Sequence, residues 1–123
     1  MKASVMERKE LMTEYFRELS AKPKTEELLD RYISDPALKE HIREFEAAFP
    51  EYTVEVDEMI SEGDSVAVRG TVHGTHKGVY AGFPPTGRQL NLEVMLFYRI
   101  RDGRISKYWL QTDSKALMDQ LTR

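Results

Sequence analysis

The chain has 123 residues, 41% hydrophobic and 32% charged, the composition of one globular domain rather than of a disordered segment. It has no cysteine, which excludes disulfides and thiol catalysis, and its net charge of −3 with no basic face argues against a nucleic-acid partner. No run approaches the ~20 apolar residues that span a bilayer. The N-terminal MKASVMERKELM carries charge where a signal peptide needs an apolar run, so a soluble, cytoplasmic protein with no membrane partner is expected.

Up to Pro50 the pattern is helical. Val5, Met12, Tyr15, Phe16 and Leu19 recur at helical spacings and make one amphipathic face. AKPK (21–24) breaks that helix. Thr25 caps the next one, with Glu26 and Glu27 in its first turn and Leu28, Leu29, Tyr32 and Ile33 on its buried side. Asp35-Pro36 starts a third helix, whose stripe is Leu38, Ile42, Phe45 and Phe49.

After Pro50 the period becomes two. Val54, Val56 and Ile60 alternate with Glu55, Asp57 and Met59, and Glu62-Gly63-Asp64 reads as a turn. Val66, Val68 and Val72 alternate with Arg69, Thr71 and His73. The loop GTHKGVYAGFPPTGR (74–88) follows. Leu90, Leu92, Val94, Leu96, Tyr98 and Ile100 then make a long strand, Asp102-Gly103 turns it, and Ile105 to Thr112 is the last strand. A short helix from Ser114 closes the chain with Leu117 and Leu121 on one side. The expectation is a single domain over 1–123, with helices about 4–49, an antiparallel sheet about 52–112 and a final helix about 114–121. This is an α+β fold with the helices on one side of the sheet. Gly70, Gly74, Gly78 and Gly82 recur every four residues and imply a strand that bends and leaves the sheet, so the curved sheet and its helices enclose a cavity.

Acids gather at Glu51, Glu55, Asp57, Glu58, Glu62 and Asp64, and bases at Arg99, Arg101, Arg104 and Lys107. They are either two solvated strand faces or the two halves of a subunit contact. The chain lacks a nucleophile elbow, a P-loop and a dinucleotide fingerprint, so no cofactor is expected. His73 and His76 point to opposite faces of a strand, which also argues against a metal. By the same alternation His76 shares the inner face with Val66, Val68 and Val72, either as a satisfied buried histidine or as a pocket group. Trp109, Gln111 and Asp113 share one face of the last strand. Read inward, Trp109 walls a pocket and Asp113 is a proton-transfer carboxylate. Read locally, Asp113 caps the final helix.

AFP (48–50), EGDSVAVRGTVHGTHKG (62–78), GFPPTGR (82–88), RDGRI (101–105) and the W…D…QL series (Trp109, Asp113, Gln120, Leu121) occur in this order. Together they resemble the SnoaL-like polyketide cyclase (ester cyclase) family of the nuclear-transport-factor-2-like, or cystatin-like, superfamily, over about residues 48–121. The resemblance implies a cone-shaped α+β barrel, a curved antiparallel sheet with N-terminal helices across its concave side, forming a homodimer through the sheet. It implies ring closure by intramolecular aldol condensation without metal, cofactor or covalent intermediate. Asp113 matches the acid/base and His76 the histidine beside it, with Trp109, Tyr80, Phe83 and Gln111 around a small apolar substrate. Tyr80, Phe83 and Pro84-Pro85 read as a stiff apolar rim or as a cap over the barrel end. Two departures stand out: the segment 30–50 is short, with His41 as a surface or edge histidine, and Lys107 stands where the family often has an acid. The leading expectation is cofactor-free acid/base chemistry on an apolar carbonyl compound. The alternatives are a non-catalytic hydrophobic-ligand-binding or dimerising scaffold and, third, a hydrolase or isomerase on the same fold.

Overall fold

The computed structural model describes residues 5–122, with side chains from residue 7 onward, so the side chain of Val5 lies outside the described residues. Helix α1 (Val5–Leu19) buries Met12, Tyr15, Phe16 and Leu19 along one stripe. After it, the Lys24 Nζ donates to the carbonyls of Lys22 and Tyr52, each at 3.0 Å, and pairs with Glu46 at 3.0 Å. This one cation ties the linker to the start of the sheet and to the third helix. Burial pulls its pKa down, and Glu46 pushes it back up.

Helix α2 (Glu26–Tyr32) begins where the Thr25 hydroxyl accepts the Leu28 N–H at 3.1 Å, and α3 (Pro36–Ala48) where the Asp35 carboxylate accepts the Ala37 N–H at 3.0 Å. Both caps satisfy amides that the first helical turn leaves unpaired. Leu38, Ile42, Phe45 and Ala48 are the buried side of α3, each large apolar side chain contributing roughly 1.5–3 kcal/mol.

Strands β1 (Thr53–Glu62), β2 (Ser65–Thr75), β3 (Gln89–Arg101) and β4 (Arg104–Thr112) pair antiparallel in the order β1-β2-β3-β4. The sheet is curved but open: β1 and β4 are its edges and do not close the expected barrel. Asp102 and Gly103, with φ of 52° and 75°, make the tight β3–β4 turn. Helix α4 (Ser114–Thr122) lies on β3, where the Gln120 amide accepts the Asn91 N–H at 2.7 Å and donates to the Asn91 carbonyl at 2.9 Å. The architecture is α+β, as the alternation of periods predicts.

Two bulges decide which side chains face the helices. In β1 the register shifts between Val56 and Glu58, so Met59 packs into the core and Ile60 stands 60% exposed, the reverse of strict alternation. In β4 an extra residue, Ser106, sits between the Ile100–Ile105 and Arg99–Lys107 pairs, and its hydroxyl donates to the Arg99 carbonyl at 3.2 Å. Each bulge inverts every later position on its strand.

Candidate functional site

A cavity of about 90 Å³ lies between the inner face of the sheet and the helices. The sheet supplies aliphatic floor, including Val72, Leu92, Val94 and Leu110. Helix α1 supplies Tyr15 and Phe16, α3 supplies His41 and Phe45, and α4 closes one end with Leu117. The polar side chains of the wall are few: Tyr15, Tyr52, Tyr80 and Tyr98, with Thr112 and His41. Burial raises the pKa of all four phenols, so each keeps its O–H and acts as a donor.

His41 is half-buried. Its ring stacks on Tyr108 at 5.8 Å and on Phe45 at 6.2 Å. Burial lowers its pKa, opposed by Glu44. Of the two expectations for it, surface or edge, the half-buried ring fits the edge and not the surface. Its spacing, three after Leu38 and four before Phe45, puts it on the buried stripe of α3, a signal the sequence contained.

Tyr80, a predicted wall residue, is in the wall. Its backbone N–H donates to the Phe83 carbonyl at 3.0 Å and its carbonyl accepts the Phe83 N–H at 2.8 Å, while Phe83 is 38% exposed at the loop tip. The root of this loop rests on the end of α3: the Lys77 and Gly78 N–H groups both donate to the Ala48 carbonyl, at 2.9 and 3.0 Å.

His76 is fully buried but forms no part of the cavity wall. Its ring stacks on Phe49 at 5.4 Å. The Thr86 N–H donates to its Nδ1 at 3.3 Å, and the Thr86 hydroxyl lies 3.0 Å from the same atom. Because Nδ1 accepts, the ring proton belongs on Nε2, which is buried with no hydrogen-bond partner among the described residues. The His76 backbone donates to Arg88 and accepts from Gly87, both at 2.9 Å. His76 thus joins the two ends of the 76–88 loop.

Trp109 and Gln111 are corrected to the opposite face. The Ser106 bulge turns Tyr108, Leu110 and Thr112 inward, and Trp109 stands 41% exposed on the outer face, in edge contact with Phe97 at 5.5 Å. Arg99 and Lys107 lie over its ring at 5.6 and 5.1 Å. Asp113 is exposed, next after Thr112, and its Oδ1 accepts the Ala116 N–H at 2.9 Å as the cap of α4. Neither Asp113 nor His76 is a wall residue. Among the described residues no cluster of histidine and carboxylate side chains could hold a metal, and no helix is long and apolar enough to cross a membrane.

Helices across one face of an open antiparallel sheet, with an apolar cavity between them, define a pocket-bearing fold of the nuclear-transport-factor-2-like kind. Residues 7–121 match the SnoaL-like polyketide cyclase family, and the chain belongs to that family. Among solved structures it is similar to AclR from Streptomyces galilaeus, a candidate hydroxylase, with 25% identity, 96% of this chain and 82% of that chain covered, and a TM-score of 0.82. It is also similar to a candidate polyketide cyclase from Acidithiobacillus ferrooxidans, with 27% identity, 92% of each chain and a TM-score of 0.77. A candidate SnoaL-like polyketide cyclase from Jannaschia sp. CCS1 shares the fold at 18% identity, over 99% of this chain and 96% of that one, with a TM-score of 0.84. A comparison with curated proteins finds no significant match.

Proposed function

We propose that the cavity binds a compact, apolar, carbonyl-bearing molecule and that the chain acts on it by proton transfer without a cofactor, in the manner of the ring-closing members of its family. One observation carries this reading: an almost wholly aliphatic and aromatic cavity whose wall includes four tyrosines that burial keeps protonated. Enolisation beside a carbonyl moves negative charge onto oxygen, and buried O–H donors stabilise that charge best where water is scarce. The size constrains the ligand. About 90 Å³ is less than the ~150 Å³ of an apolar cavity that accepts benzene. Even a single small ring therefore needs the wall to yield, so the ligand is compact.

Asp113 is the family-matched acid/base, and in this conformation it would have to release the Ala116 N–H to reach a ligand. Compact cyclic ketones titrated against the protein test the binding step. Shifts of the Val72, Leu92, Val94 and Leu117 methyl resonances are expected, and Val94→Phe, which fills the space, should remove them. Unperturbed cavity methyls at saturating ketone would end the proposal.

A second reading, a dimerising scaffold, is favoured by the outer face. Ile60, Ala67, Phe97 and Trp109 form one continuous cross-strand row with Met95 beside it, and Ile60 and Met95 are each 60% exposed. The next row runs from Glu62 through Ser65 and Arg99 to Lys107, acid at one edge and base at the other. A twofold axis along the strands would set Ile60 over the Trp109 of a second copy and Glu62 over its Lys107. Charge complementarity and apolar burial then agree on a homodimer. The two readings are compatible, since they use opposite faces of the sheet.

A further inference from the structure

We propose that His41, on α3, is the base that removes a proton from carbon in this cavity. The inference rests on the carbonyl-ligand reading above and deepens it. Of the side chains that form the wall, His41 is the one able to accept a proton near neutral pH, since the other ionisable groups there are phenols held protonated by burial. Its ring lies near-parallel to Phe45 at 6.2 Å and to Tyr108 at 5.8 Å, and the side chain is part of the cavity wall, within reach of a ligand bound there.

The groups around it are known. Glu44 lies on its own helix, and Asp35, at the helix start, reaches Tyr108 electrostatically. Tyr108 faces it from β4, and Tyr15, Tyr80 and Tyr98 come from α1, the loop and β3. No lysine or arginine is among the wall residues. Glu44 favours the imidazolium, but burial outweighs it and favours the neutral imidazole, which is the form that accepts a proton.

The step balances without a co-reactant. A neutral imidazole nitrogen takes the proton from the carbon beside the carbonyl. The C–H bond breaks, its electron pair becomes the carbon–carbon double bond, and the carbonyl oxygen takes the negative charge under the phenol donors. Protonation of the same carbon by the imidazolium reverses the step. In a substrate with a second carbonyl, the enolate carbon attacks it instead, and the imidazolium proton goes to the new alkoxide.

The test uses cyclohexanone as the probe. Exchange of its α-protons in deuterium oxide is followed by NMR in the presence of wild type, His41→Gln and His41→Phe, while the cavity methyl shifts report binding independently. Wild type should accelerate exchange above buffer containing equal free imidazole. Both variants should still bind the ketone and lose that acceleration by about 100-fold or more. The wild-type rate should fall with pH along a single protonation whose midpoint is that of His41, followed by its own ring resonances. Binding by all three proteins with equal exchange overturns the role of His41 and leaves the ligand reading standing. Loss of the acceleration in Asp113→Asn alone does the same, and assigns the base to Asp113. No binding by wild type overturns both.

Discussion

Replacing Gly78 by alanine probes the support of the loop that carries the wall residue Tyr80. A Cβ built on Gly78 would sit 2.1 Å from the Ala47 carbonyl oxygen and 3.0 Å from its carbon. Carbon and oxygen need about 3.2 Å or more, and both partners are backbone, so no side-chain rotation relieves the overlap. The root of the loop must retreat by about 1 Å. That takes the bonds from Lys77 and Gly78 to Ala48, at 2.9 and 3.0 Å, beyond hydrogen-bond range. Two bonds at about 1 kcal/mol each, with the residual contact strain, cost roughly 2–3 kcal/mol. The smaller entropy of the unfolded alanine chain returns about 0.5 kcal/mol. The net loss is about 2 kcal/mol, read in urea unfolding and as a fall in Tm of roughly 8 °C. Gly82→Ala is the control. Its φ is +83° and nothing lies within 4 Å, so only backbone conformation is penalised, by about 1 kcal/mol. A Gly78→Ala protein as stable as wild type, or no less stable than Gly82→Ala, would refute the close-approach argument.

Three further outcomes are expected. Asparagine caps helices as well as aspartate, so Asp113→Asn should unfold within about 0.5 kcal/mol of wild type, whereas Asp113→Ala should lose about 1 kcal/mol in the same urea titration. The folded-state pKa of His41 lies below its ordinary value, so below about pH 6.5 the unfolded chain takes up its proton first. Its contribution is complete above that value and is lost as pH falls toward the folded pKa. Tm measured between about pH 5 and 7 should therefore fall less steeply on the acid side in His41→Phe than in wild type. Phe97→Lys, in the middle of the outer apolar row, should shift wild-type dimer to monomer in analytical ultracentrifugation without changing ketone binding. A monomeric wild type would remove the scaffold reading.

The helices were legible because their signals are local. Thr25 and Asp35-Pro36 cap where their sequence context says they should, and the stripes of α1 and α3 are written at fixed spacing. The strands and their turns were legible for the same reason: alternation and the Asp102-Gly103 pair depend on near neighbours. The apolar cavity followed from glycine-marked bending and from the family likeness. His41 was within reach too, since its place on the α3 stripe is a matter of counting.

What tertiary structure alone decided is which face each strand residue takes beyond a bulge. Alternation carries a side-chain direction along a strand only while the register holds, and one extra residue reverses it. The shift at Asp57 sent Ile60 outward and Met59 inward, and Ser106 did the same to Trp109 and Leu110. No local propensity marks Ser106 as the unpaired residue. It is fixed by the closing of β4 against β3, where Tyr98, Leu96 and Val94 demand inward partners. That contest between distant side chains moved the tryptophan out of the cavity, left its polar lining to four tyrosines, Thr112 and one histidine, and built the apolar row on the other side.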